Sequence, residues 1–189
     1  MKAVFVLFDT LNRRSLECYG GTSVKTPNFE RLARRSVTFD NHYVGSLPCM
    51  PARRDLHTGR FNFLHRSWGP LEPFDNSVTE LLGERAGVYT HLVTDHCHYW
   101  EDGGATYHTR YDSAELLRGQ EADQWKGIVN PDAEAWRARY HPSQFNLGRR
   151  HKNRIDMTNR EYREGYEDYP TLKTFTAGLD FLDRNHRDD

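Results

Sequence analysis

Cysteine is scarce in this 189-residue chain: Cys18, Cys49 and Cys97 make an odd number with no C-x-x-C pair, which excludes a disulfide framework and a zinc ribbon. Such usage fits a reducing compartment and predicts a cytoplasmic protein. Long apolar runs are lacking as well. The run from Ala3 to Phe8 is too short to cross a membrane or to serve as a secretory leader, so no membrane partner is expected and the run reads as a strand. A surplus of either charge is also missing: 26 Lys and Arg stand against 27 Asp and Glu, a net charge of -1, so the basic face of a nucleic-acid binder is not expected. Neither an internal repeat nor a low-complexity tract is present. The length suffices for one domain with a sizeable core, and partners must be sought at local sites.

What is present alternates between strand and helix signals. Residues 2–8 form a continuous apolar run ending on Asp9, where strand ends in open α/β sheets border the ligand crevice. Thr26-Pro27 is a cap and first-turn pair for a helix through Phe29, Leu32 and Ala33. A second strand is expected over 37–44. Ser77-Val78-Thr79-Glu80 reads as a capping box for a helix that Gly87 ends, and 88–95 reads as a further strand finishing on Asp95. A short extended piece is expected over 106–111. The alternation predicts an α/β sandwich with a core-like part over 1–111.

Residues 112–169 are polar and irregular in pattern. Eight Lys/Arg against two Asp/Glu between Arg137 and Arg163 read as a solvated face or a homo-oligomer contact. Leu172, Phe175, Leu179 and Leu182 recur at helical spacing, predicting an amphipathic helix over about 171–187. A βαβ protein rarely stops on a helix without the next strand, so the chain reads as an incomplete N-terminal part of a larger domain.

The segment LPCMPARRDLHTGR, residues 47–60, concentrates the chemistry. Cys49 falls at a helix N-terminus, where unpaired N–H groups and the helix dipole stabilise an anion and lower a thiol pKa. Pro51 is tolerated in the first turn, and Arg53, one helical turn on, shares the face of Cys49. The cysteine phosphatase loop needs an arginine six residues after the cysteine, where this chain has Asp55, so that chemistry is excluded.

CMPARRDLHTGR resembles the signature of type I sulfatases, C-x-P-[S/A]-R followed by leucine and Thr-Gly-Arg, with every signature position filled. FVLFDT, ECYGG and TPNFERLARRSVTFDNHYV resemble the segments that flank it in that family. The resemblance implies an alkaline-phosphatase-like α/β sandwich with a mainly parallel central sheet between helices. It also implies that Cys49 is oxidised by a maturase to formylglycine, whose hydrate attacks the sulfur of a sulfate ester. The second hydroxyl then loses its proton, the carbonyl reforms and sulfate is expelled.

By the same resemblance Asp9 is a ligand of a divalent metal, calcium first with magnesium or manganese as alternatives, shared with the oxygen made from Cys49. Thr10 stands where most of the family has a second aspartate and is at best a weak ligand; Asn12 replaces the family's arginine. Phosphonate and phosphodiester hydrolases of the wider group also manage with one aspartate there. The remaining metal ligands are expected beyond residue 189, so this chain alone is expected to be silent.

A second cluster, Asp95-His96-Cys97-His98-Tyr99-Trp100-Glu101-Asp102, lies at the end of a predicted strand. In extended backbone His96 and His98 point to one side. The resemblance places a lysine and a histidine here, to bind sulfate and protonate the leaving group; with the lysine missing, His98 is the first candidate for general acid or anion donor and His96 the second. A zinc site from His96, Cys97, His98 and His108 lacks ligand spacing. Asp95 is either a cap or a ligand, and Tyr99, Trp100 and Tyr107 either line a pocket or pack. Three readings follow: a sulfuric ester hydrolase acting on a small molecule or saccharide, a phosphonate monoester or phosphodiester hydrolase of the same superfamily, and a catalytically silent fragment.

Overall fold

The computed structural model describes residues 2–186 apart from 103, 105, 146, 147, 149 and 150. In chain order the described elements are α1 (Pro27–Ala33), α2 (Cys49–Thr58), α3 (Val78–Ala86), β1 (His91–Thr94), β2 (Ser113–Leu116), α4 (Ala133–Arg139), α5 (Lys152–Arg160) and α6 (Pro170–Arg184). Single 3-10 turns fill several connections. No described helix is long and apolar enough to cross a membrane.

β1 and β2 pair in parallel, in a register running from His91 opposite Ser113 to Thr94 opposite Leu116. α6 packs beside β1, stacking Phe181 on the His91 ring at 3.9 Å. Earlier in α6, Phe175 meets Phe8 at 5.7 Å between ring centroids, and Phe29 of α1 also meets Phe8 at 5.7 Å. This aromatic clamp fixes the residue before Asp9.

α2 is anchored from three directions. Met50 is fully buried with Leu71, Tyr99 and Tyr107, and Trp68 and Leu92 pack against the group. Burying a side chain of that size stabilises by about 1.5–3 kcal/mol. The Tyr107 hydroxyl also reaches the carbonyls of Met50 (3.3 Å) and Gly69 (3.1 Å), which ties the first turn of α2 to the core. Arg54, from the next position round the helix, makes a bidentate pair with Asp75 at 2.8 and 2.7 Å, with both side chains buried. Further on, His57 Nδ1 lies 2.8 Å from Ser77 Oγ. Gly59 closes the helix with φ 67°, a left-handed conformation that costs glycine nothing, and its N–H donates to Asp55.

Several expected elements differ. Residues 2–8 and 37–44 carry the composition of strands but gain no ladder partner among the described residues, and Phe5 stays 73 % exposed. Strand character alone does not make a strand without a neighbour to bond. The strand expected over 88–95 shortens to β1. The piece expected to be extended over 106–111 instead holds a 3-10 turn, His108–Arg110. The Ser77 capping box does not form: α3 starts there without a side-chain cap, because the hydroxyl is engaged with His57 and Thr79. The polar segment 112–169 contains β2, α4 and α5. The terminal helix matches its expected place as α6; its predicted end at 187, Asp188-Asp189, Gly103, Arg149 and Arg150 lie outside the described residues.

Candidate active site

Cys49 is the first residue of α2, as its flanking prolines imply. Its Sγ points back at the N-terminal segment and donates to Asp9 Oδ2 at 3.8 Å. Asp9 owes this position to the clamp on Phe8. The neighbouring Thr10 adopts φ 58°, an uncommon conformation for a β-branched residue, and its hydroxyl donates to Asp9 Oδ1 at 3.1 Å. Thr10 thus holds one carboxylate oxygen while the other faces sulfur. Asn12, two residues on, caps the turn Arg13–Ser15 through the Arg14 N–H.

Arg53 turns back along α2 and donates to the Cys49 carbonyl at 3.1 Å. Its guanidinium stands 5.8 Å from the centre of the Tyr99 ring, and its buried Nε has no hydrogen-bond partner. A buried, unpaired donor on a permanent cation is costly unless an acceptor arrives.

His96 and His98 follow β1 and face each other edge-on, ring centres 4.9 Å apart. The backbone between them is not extended: His96 precedes the 3-10 turn Cys97–Trp100 that holds His98. Both rings still reach the same place, where one atom each from Cys49, His96 and His98 lie within 4.8 Å of one another. The edge of Trp68 packs on His98 at 4.9 Å, and Glu101 Oε1 lies 2.5 Å from His98 Nδ1, an ion-pair contact outside hydrogen-bonding alignment. His96 is buried and its Nε2 has no partner.

The electrostatics correct one expectation. Burial, and next the charge of Asp9, raise the Cys49 thiol pKa above its ordinary value, outweighing the pull of Arg53. The helix terminus does not deliver an activated thiolate. Burial, with Arg53 second, takes His96 down to about 3, so it is neutral near pH 7. Asp95, just past β1, is pushed up by burial, with the charge of Asp9 adding to it. A carboxyl such as Asp95, whose ionised form burial and a neighbouring carboxylate disfavour, suits a place beside a cation.

Other candidates fall away. Cys97 is outside the cluster, and burial raises it to about 12; His108 stacks on Trp100 at 4.6 Å. Tyr99 and Tyr107 are core residues, so they pack as well as border the site. The sequence marks Glu101 within the second cluster without a role, and it misses Trp68 and Asp75. Glu101 sits three residues after His98, a spacing that signals a partner within a turn; nothing local marks the other two.

Cationic at Arg53 and at the helix end, yet carrying carboxylates, this cluster has the make-up of an α/β site for an anion held together with a cation. Comparison with known proteins sharpens this: the Sulfatase family profile matches residues 2–188, and the chain belongs to that family, whose fold is alkaline-phosphatase-like. Among curated relatives it is similar to an N-acetylglucosamine-6-O-sulfatase of Bacteroides thetaiotaomicron, 34% identical over 92 residues covering 48% of this chain and 16% of that protein. Human arylsulfatase H is 40% identical over 92 residues, again 48% of this chain and 16% of the relative. A multifunctional alkaline phosphatase superfamily protein, PehA of Trinickia caryophylli, is 44% identical over 52 residues, 28% of this chain and 10% of its own. The matched part thus spans about a sixth or less of these relatives' length. No solved structure matches the chain significantly.

Proposed function

We propose that this chain carries the nucleophile end of a sulfuric ester hydrolase, with Cys49 as the precursor of formylglycine. The observation that carries the reading is the meeting of Cys49 at the α2 N-terminus with Asp9, 3.8 Å away, while the thiol itself is held in its neutral form. A cysteine nucleophile would need the opposite shift. The matured residue supplies a hydrated aldehyde able to accept and release sulfate.

Each neighbour then has a task. Arg53 Nε and the α2 N–H groups bind sulfate oxygens and offset the charge that develops on them. His98 passes a proton to the leaving oxygen, with the Glu101 carboxylate beside its Nδ1. His96 is neutral and donates or accepts at Nε2. Asp9 fits a divalent ion, and Asp95 is a second carboxylate within its field; that ion supplies Lewis acidity toward sulfate oxygens. Among the described residues the donors fall short of the six or more oxygens calcium takes, and magnesium, which keeps several waters, and manganese fit no worse.

Thr10 favours a second reading, a phosphonate monoester or phosphodiester hydrolase, because its hydroxyl serves Asp9 instead of adding a carboxylate. Kinetics of the matured protein on aryl sulfates and aryl phosphonates separate the two. Higher kcat/KM on sulfates supports the first, and much higher values on phosphonates replace it with the second. A formylglycine-forming maturase is the implied partner, the substrate is an ester of a small molecule or saccharide, and the protein acts in the cytoplasm.

A further inference from the structure

The geometry points to a second use of this cluster: before maturation, Cys49, His96 and His98 form a binding site for a thiophilic divalent metal ion such as zinc. One thiol and two imidazoles meet with their ligand atoms within 4.8 Å of one another. Tetrahedral zinc with one sulfur and two nitrogen ligands sets those atoms about 3.3–3.6 Å apart, so the widest pair closes by about 1 Å, within reach of side-chain rotation. His96 Nε2 is buried and unpaired, and an incoming ion would satisfy it. Glu101 Oε1 lies beside His98 Nδ1, outside hydrogen-bonding alignment, so Nε2 is the atom of that ring left for the metal. Water takes the fourth position.

The donor set selects soft or borderline ions over calcium and magnesium, which prefer oxygen. On binding, the S–H bond breaks, its proton goes to solvent and the thiolate bonds to the ion; no electron is transferred. The site exists only while position 49 carries sulfur, and conversion to the aldehyde abolishes it. The metal site does not depend on the hydrolase reading, since it needs only the thiol form.

The test uses the 189-residue chain produced without a maturase, with the intact thiol verified by mass. Cobalt(II) titration is expected to give a thiolate-to-cobalt charge-transfer band saturating at one equivalent, which zinc then bleaches. Cys49→Ser is expected to remove the band, and His96→Ala and His98→Ala each to weaken zinc at least about tenfold. The double variant Cys18→Ser/Cys97→Ser retains the band. As a check that needs no substitution, zinc slows alkylation of Cys49 by iodoacetamide in the unsubstituted chain. A missing band, a band that survives in Cys49→Ser, or alkylation indifferent to zinc overturns the proposal, and none of these bears on whether Cys49 is matured.

Discussion

Cys49 and Asp9 are 40 residues apart in sequence, yet Sγ lies 3.8 Å from Oδ2. Burial comes first and the Asp9 charge second in keeping the thiol protonated. Asp9→Asn removes the second influence and should lower the Cys49 pKa. Alkylation of Cys49 near neutral pH is expected to speed up by a few-fold to about tenfold, one pKa unit being tenfold in thiolate. An unchanged pH profile of alkylation would show that the carboxylate does not act on the sulfur.

Arg53 has a buried Nε waiting for an acceptor. In the matured, full-length protein, Arg53→Gln should lower kcat/KM on an aryl sulfate by about 100-fold, the scale for losing one donor to developing negative charge. Arg53→Lys restores charge without the planar fork and should recover only part. Steady-state kinetics measure both, with circular dichroism to confirm that α2 persists.

The Arg54–Asp75 pair holds α2 to the loop before α3, and both side chains are buried. Burial alone would raise the Asp75 pKa, but the Arg54 hydrogen bonds and the Glu72 N–H outweigh it and hold the carboxyl below its usual range. Asp75→Ala strands a buried guanidinium and should cost about 3–5 kcal/mol in urea unfolding, whereas Arg54→Met/Asp75→Leu should recover much of that loss. A loss under about 1 kcal/mol for Asp75→Ala would contradict this role.

His57 is kept neutral, first by burial and then by the charge of Arg110, with its pKa taken down to about 4. Between the free-histidine value of about 6.5 and that pKa the unfolded chain binds the extra proton, so stability falls on acidification through this window and is fully present above it. The loss approaches about 3 kcal/mol at most. His57→Gln can still meet Ser77 and should flatten the slope of unfolding free energy between pH 6.5 and 4, read by denaturant melts at several pH values.

The candidate site was legible where its chemistry is local. Cys49, Pro51 and Arg53 together announce a helix with a reactive start, and α2 runs from Cys49 to Thr58. His96 and His98 were legible as a pair, but not for the reason expected: the backbone is not extended, His96 precedes the 3-10 turn that holds His98, and the two rings meet edge-on all the same. The partners that hold these residues were not legible: Phe175 reaches Phe8 from the far end of the chain, and nothing near Arg54 marks Asp75 as its partner. Strands failed for a related reason. Residues 2–8 have strand composition without a ladder neighbour, whereas Ser113–Leu116, polar and unremarked, is a strand because it lies against β1.

Peptide mass spectrometry across residues 47–53, on protein co-produced with a formylglycine-forming maturase, tests the central claim most directly. Replacing CH2SH by CHO predicts a loss of roughly 18 Da at Cys49, accompanied by turnover of an aryl sulfate by the matured full-length protein. An intact thiol at Cys49 in protein that nonetheless hydrolyses the ester would contradict the account, because the cysteine would then itself be the nucleophile.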